Sequence, residues 1–261
     1  MAGHSHAANV KHRKNAVDAK RAKIFSKLAR NIISAVRQGG PDESTNLKLK
    51  YAVEKARAAN MPKDNIGRAI KRGEGSKDGD DFEELVYEGY APGGVALLIT
   101  CLTDNRNRTA PDIKYILERN GGNMGTSGSV SFMFDFKSIF VVDLTGEQAA
   151  DDFEGKKFDE DGVMEAALEA GAEDVLVEGD VATVFGGASD FIDLKTGLEG
   201  AGCVLLSAET GYWPQNTVEV AEQGDAERIL KLVDKLEDNE DVQNVYANYD
   251  IKDEWLEAHS G

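Results

Sequence analysis

The chain has 261 residues, 41% of them hydrophobic, and a formal net charge of -17. That length buries real cores and fits two or three domains. No apolar run approaches the roughly 20 residues that span a bilayer, and the basic N-terminus lacks the apolar core of a secretion signal. A soluble cytoplasmic protein with no membrane partner is therefore expected.

The acidity is unevenly spread. Residues 1–75 hold 17 Lys/Arg against 6 Asp/Glu, a net of +11, so residues 76–261 hold 13 against 41, a net of -28. Such asymmetry suggests one module for a polyanion and a remainder that repels it; solvated surface of both signs is the plainer alternative.

Met1 to Val10 reads as a mobile arm. His4, His6 and His12 invite a metal reading, and Ala2-Gly3-His4 at a free N-terminus could hold Cu(II) or Ni(II). No Cys or carboxylate completes a folded site, so no metal and no cofactor is expected. A cationic arm settling on phosphate accounts for these histidines together with Lys11, His12, Arg13 and Lys14.

From Lys11 to Arg37 the spacing predicts one long helix. Val17, Ile24, Phe25, Leu28, Ile32 and Val36 gather on one side, and Arg13, Lys20, Lys23, Lys27, Arg30 and Arg37 on the other. The apolar side needs partner helices, and the cationic side needs an anion. Gln38-Gly39-Gly40-Pro41 stops the helix. Asp42 to Thr45 offer caps for a second helix through Ala59, and Asp64 to Lys71 make a third, closed by Gly73. The result is a three-helix bundle, with Arg68, Lys71 and Arg72 adding charge at its end.

Gly73 to Asp81 reads as a linker. Leu85–Tyr90 and Val95–Leu102 then form a hairpin, with a helix capped by Thr109, a glycine-rich segment from Gly121 to Ser131 and a strand over 129–136. Residues 138–207 follow the order βαββαβ, a ferredoxin-like unit with a hairpin across Gly179-Asp180 and an acidic, solvated loop before its first helix. A strand at 216–220, a helix at 225–236 and a strand at 242–249 make half a domain, which residues 82–136 complete as a second such unit. The expected fold is α+β: a three-helix bundle plus two ferredoxin-like α/β domains, one inserted in the other. Its boundaries are 1–77, then 78–136 with 207–254, then the insert 137–206. Cys101 and Cys203 lie in apolar strands far apart and read as buried free thiols.

Few stretches offer chemistry. In Thr103 to Thr109, Arg106 and Arg108 beside helix N–H groups make a secondary anion site, or else surface pairs around a turn. Gly121 to Ser131 lacks both phosphate-loop signatures and reads as a flexible loop. No EF-hand spacing, nucleophile elbow or convergent Cys/His pair appears. Neither an enzyme nor a small-molecule substrate is expected.

The stretches Ala2-Gly3-His4-Ser5, residues 9–14, Asp18 to Arg21, Lys23-Ile24-Phe25, Glu54 to Ile70, Tyr87 to Val95, Thr103 to Thr109 and Gly121-Gly122-Asn123 occur in order. On them the chain resembles the YebC family, which includes a mitochondrial translational activator of cytochrome c oxidase. The resemblance implies a helical bundle and two α/β domains with a non-enzymatic nucleic-acid role in the cytoplasm. Members are named as probable transcriptional regulators that bind DNA, and others look like ribosome-associated factors that help translation through proline runs. His6-Ala7 stand where the family usually has Lys-Trp, which removes an aromatic from the arm.

The expected partner is nucleic acid, either DNA or ribosomal and messenger RNA, and possibly the ribosome itself. The expected contact residues are Lys11, His12, Arg13, Lys14, Lys20, Arg21, Lys23, Lys27, Arg30, Arg68, Lys71 and Arg72. A cationic stripe gives affinity rather than sequence recognition, and no helix-turn-helix is visible. A protein scaffold without nucleic acid would bind independently of salt, which separates it from both nucleic-acid readings.

Overall fold

In the computed structural model, residues 17–75, 82–146 and 156–260 are described. The first helix, α1, runs from Val17 to Gly39 and ends at Gly40, whose φ of 86° turns the chain away. Helices α2 (Leu47–Ala58) and α3 (Lys63–Gly75) pack on it. Leu28, Ile32 and Val36 of α1 meet Leu49, Val53 and Ile66 in one apolar cluster. Each fully buried side chain there contributes about 1.5–3 kcal/mol.

Two expectations for the bundle need correction. The cap of α2 is Asn46, not a residue of 42–45. Its side chain accepts from Leu49 N at 3.1 Å and donates to Ala35 O and Gly40 O, tying the turn to the end of α1. Gly73 does not close α3, which continues to Gly75. A Cβ at Gly73 would stand 2.7 Å from Val36 Cβ, so this glycine lets the two helices approach.

Strands β1 (Glu83–Tyr90) and β2 (Ala96–Thr103) form the expected hairpin, in register from Glu83↔Thr103 to Tyr90↔Ala96. Helix α4 spans Arg106–Arg119 and β3 is Asn123–Met124. After the insert come α7 (Gln223–Glu237) and β9 (Val242–Ala247). The sheet order is β3-β1-β2-β9, all antiparallel. This is the ferredoxin-like order, with the third strand's place filled by β1 from the start of the domain. The strand expected at 216–220 does not join it.

Strand β4 is Phe134–Asp143, continuous where two strands were expected. Lys137-Ser138 looks like a break, but the buried Ser138 donates to Gly187 O at 2.8 Å and the ladder continues. It is followed by α5 (Glu160–Glu169), β5 (Asp174–Glu178), β6 (Val181–Gly187), α6 (Phe191–Ala201) and β7 (Val204–Pro214). The order β5-β6-β4-β7 is again ferredoxin-like. Both β4 and β7 run through the junctions expected at 136/137 and 206/207. Asp159, from the acidic run, caps α5 by accepting from Gly162 N at 2.9 Å. Strands β8 (Val218–Glu219) and β10 (Tyr249–Asp250) pair parallel in a small sheet of their own, so the strand expected over 242–249 is split at the buried Asn248. A final helix, α8 (Asp253–Ser260), was not expected.

By internal contacts the chain forms two units. One comprises 16–131 with 227–247, holding the bundle and the β3-β1-β2-β9 sheet; the other includes 132–226 and 248–261. Among the described residues no helix is long and apolar enough to cross a membrane. Cys101 and Cys203 are free and buried, and burial pushes their thiols up to about 12 and about 11.

Candidate nucleic-acid interface

Lys11, His12, Arg13 and Lys14 lie outside the described residues. Lys20 and Arg21 belong to α1, with side chains outside the described set. The next three cations on the stripe have partners within the chain. Lys23 Nζ is 3.0 Å from Asp238 Oδ1, and Lys27 Nζ donates to Glu237 O at 2.6 Å. Arg30 donates to Glu240 O and Oε2 and to Asp241 Oδ1, at 2.9–3.0 Å. The stripe needs an anion, and the turn after α7 supplies one. Burial pulls the Lys27 ammonium below its ordinary value against the raising influence of Glu237 and Asp238.

Asp241 joins this contact to the N-terminus of α4. Its carboxylate, 5% exposed, accepts from Arg30, from Arg108 at 2.9 and 3.0 Å, and from the Thr109 hydroxyl at 2.9 Å. Burial pushes this carboxyl up, but the bonds from Arg108 and Thr109 and the charges of Arg108 and Arg30 outweigh it and hold the group below its ordinary 3.8. The expected cap, Thr109, is instead a buried member of this network, and Asn105 caps α4 by accepting from Arg108 N. The expected secondary anion site is thus divided: Arg108 holds the chain's own Asp241 and Asp104, while Arg106 is exposed.

The remaining expected cations stand on α3. Arg68, Lys71 and Arg72 are exposed. Arg68 donates to Asn65 Oδ1 within its own helix, and from Nε to Asp64 O at 3.3 Å. Arg68 and Arg72, one turn apart, border an open cleft of about 340 Å³ between α1 and α3. Phe25, Ser26, Met61 and Asn65 also line it. One side of α1 therefore faces acids, and the adjacent side faces a cleft edged by arginines.

A further polar centre escaped the sequence reading. Glu88, on β1 and 6% exposed, accepts from the backbone N–H groups of Gly128, Val130 and Ser131 at 2.6–2.9 Å. Burial would raise this carboxyl, but the three N–H donors outweigh it and lower it from its ordinary 4.5. Tyr90 adds a bond to Ser129 O at 3.0 Å. The segment expected to be a flexible loop is pinned at its end. An acid between Tyr87 and Gly89 in an apolar strand was the available signal, because such a residue needs donors.

A basic three-helix bundle leading into two ferredoxin-like sheets, with no phosphate-loop motif, defines an α+β protein that exposes cations on its helical part. Residues 5–76 match the profile described as the TACO1/YebC protein N-terminal domain, and residues 82–249 match the TACO1/YebC second and third domain. The chain belongs to the TACO1/YebC family. It is 50% identical, over the full length of both chains, to a protein of Magnetococcus marinus named "probable transcriptional regulatory protein". It is 49% identical, over 98% of each chain, to a protein of the same name from Halothermothrix orenii. The crystal structure of a conserved hypothetical protein from Aquifex aeolicus superposes with a TM-score of 0.78 at 41% identity, covering 90% of this chain and 92% of the other.

Proposed function

We propose that the protein is a non-enzymatic, cytoplasmic regulator of gene expression that binds nucleic acid through its N-terminal bundle and takes no cofactor or small-molecule substrate. The observation that carries this reading is the concentration of charge: a net of +11 in residues 1–75 against -28 in the rest, with Arg68, Lys71 and Arg72 exposed on α3. Lys11, Arg13, Lys14, Lys20 and Arg21 contribute to the same excess of positive charge in the sequence. The names of the relatives favour DNA and transcription. A second reading is a translation factor that contacts ribosomal or messenger RNA. It is supported by Lys23, Lys27 and Arg30 being held within the chain, which leaves α1 poorly placed as a groove-reading helix.

Crosslinking in intact cells followed by sequencing of the attached nucleic acid separates the two. Discrete promoter DNA supports the transcriptional reading, and ribosomal and messenger fragments support the translational one. Recovery of neither, together with partner binding that survives high salt, overturns both.

A further inference from the structure

Helix α5 turns Val163, Ala166 and Ala167 inward, where all three are buried. An amphipathic helix of this kind ordinarily shows water a polar face. Here Leu168 is 74% exposed, more than any other large apolar side chain among the described residues, and Met164, one turn before it, is 47% exposed. Their spacing places them in one ridge along the helix. Asp161, Glu165 and Glu169, spaced in the same way and all exposed, form the ridge beside it.

The surroundings share that charge. Helices α5 and α6 close on each other at Gly197, where a Cβ would stand 2.7 Å from Ala170 Cβ. Together they carry six carboxylates and one cation, Lys195, which lies 4.0 Å from Glu199. Residues 132–226 as a whole hold 22 Asp/Glu against 4 Lys and no Arg.

An apolar ridge left in water adds nothing to the stability of the chain that carries it, and a row of like charges one turn apart works against the helix. Both features gain meaning from a partner. Nucleic acid is repelled by this face, and the α5 of a second copy brings the same charge to it. A wholly apolar partner would strip water from the carboxylates without replacing its hydrogen bonds. A helix with an apolar ridge beside a ridge of Lys or Arg matches both rows, because ridges of this spacing interdigitate and the cations then face the acids.

We propose that the outer face of α5 docks a basic amphipathic helix of a partner protein. The partner's apolar ridge packs on Met164 and Leu168, and its cations lie opposite Asp161, Glu165 and Glu169. This surface is separate from the nucleic-acid reading above, and neither depends on the other.

The test uses the full chain and a labelled synthetic helical peptide of Leu, Ala and Lys, with its Leu ridge beside its Lys ridge, read by anisotropy. A scrambled peptide of the same composition is the control. The ordered peptide should bind about tenfold more tightly than the scrambled one. Met164→Gln with Leu168→Gln, both at exposed positions, should remove that tenfold preference and leave the melting temperature and the scrambled peptide's affinity unchanged. Asp161→Asn, Glu165→Gln and Glu169→Gln together should weaken the ordered peptide and flatten its salt dependence. If the wild type does not distinguish the two peptides, the attraction belongs to net charge alone and the assignment is overturned. It is equally overturned if the Met164 and Leu168 double variant keeps the full preference.

Discussion

The cationic side of α1 and the side next to it meet different surroundings in the fold. Lys23, Lys27 and Arg30 point to the turn 237–241 and are met by three carboxylates and two carbonyl oxygens. Phe25, Ser26 and Ala29, about a third of a turn away, line an open cleft together with Arg68 and Arg72. A periodic stripe of cations establishes that an anion is needed but not which one. Here part of the stripe is answered by the chain itself and holds the bundle against its sheet, while Arg68, Lys71 and Arg72 on a neighbouring helix are exposed.

Asp241→Asn should break the internal side most strongly. It removes the charge that Arg30 and Arg108 share in a site where the carboxylate is 5% exposed. The loss should be about 3 kcal/mol in chemical denaturation, at the low end for a buried pair because Arg108 is half exposed. Nucleic-acid affinity should hardly move; a parallel loss would mean that the two sides of α1 act as one. The same substitution has a pH signature. The Asp241 carboxyl is depressed when folded, so its stabilisation is whole above 3.8 and is lost as pH falls from there through the lower folded value. Over that window the wild-type melting temperature should fall more steeply than that of the variant, and the curves should converge in acid.

Gly73→Ala tests the packing at the end of the cleft. The added methyl meets Val36 Cβ at 2.7 Å and Cγ1 at 2.8 Å, atoms of a stiff β-branched side chain, so α1 and α3 must separate. A cost of about 2 kcal/mol is expected, together with altered binding, by thermal melting and anisotropy. Replacing Arg68 and Arg72 by Gln should weaken nucleic-acid binding about tenfold and flatten its salt dependence by up to about two phosphates, without lowering the melting temperature. Smallest of all, Lys23→Gln removes an exposed pair with Asp238 and should cost less than about 0.5 kcal/mol. A larger effect would show that the turn holds α1 more tightly than this geometry implies.

Much of this architecture was legible because it repeats locally. The 3.6-residue spacing of Leu28, Ile32 and Val36, the hairpin signal at Gly179-Asp180 and the alternation of strands and helices after residue 138 all report on near neighbours. What failed was set at a distance or by a choice among equals. Asp42, Ser44, Thr45 and Asn46 can all cap a helix, and Asn46 wins because its amide also reaches Ala35 O and Gly40 O. Residues 208–212 carry too little apolar character to announce a strand, yet they pair with 136–140 of β4. The site divides in the same way. The cations were visible, but the carboxylates that neutralise Lys23 and Arg30 lie more than 200 residues on, and the donors to Glu88 about 40 residues on.

The place taken by β1 in the first sheet also has a consequence in time. Strand β2 finds one neighbour at once, across the hairpin, but its other neighbour, β9, begins at Val242, about 140 residues after Thr103. At roughly 5–20 residues per second, synthesis of that stretch takes about seven to thirty seconds. Throughout it β2 is an apolar edge without a partner, with Leu97, Leu98 and Ile99 awaiting burial. The nascent chain therefore passes through a stage in which residues 134–214 have all been made while the sheet that receives β9 is still open.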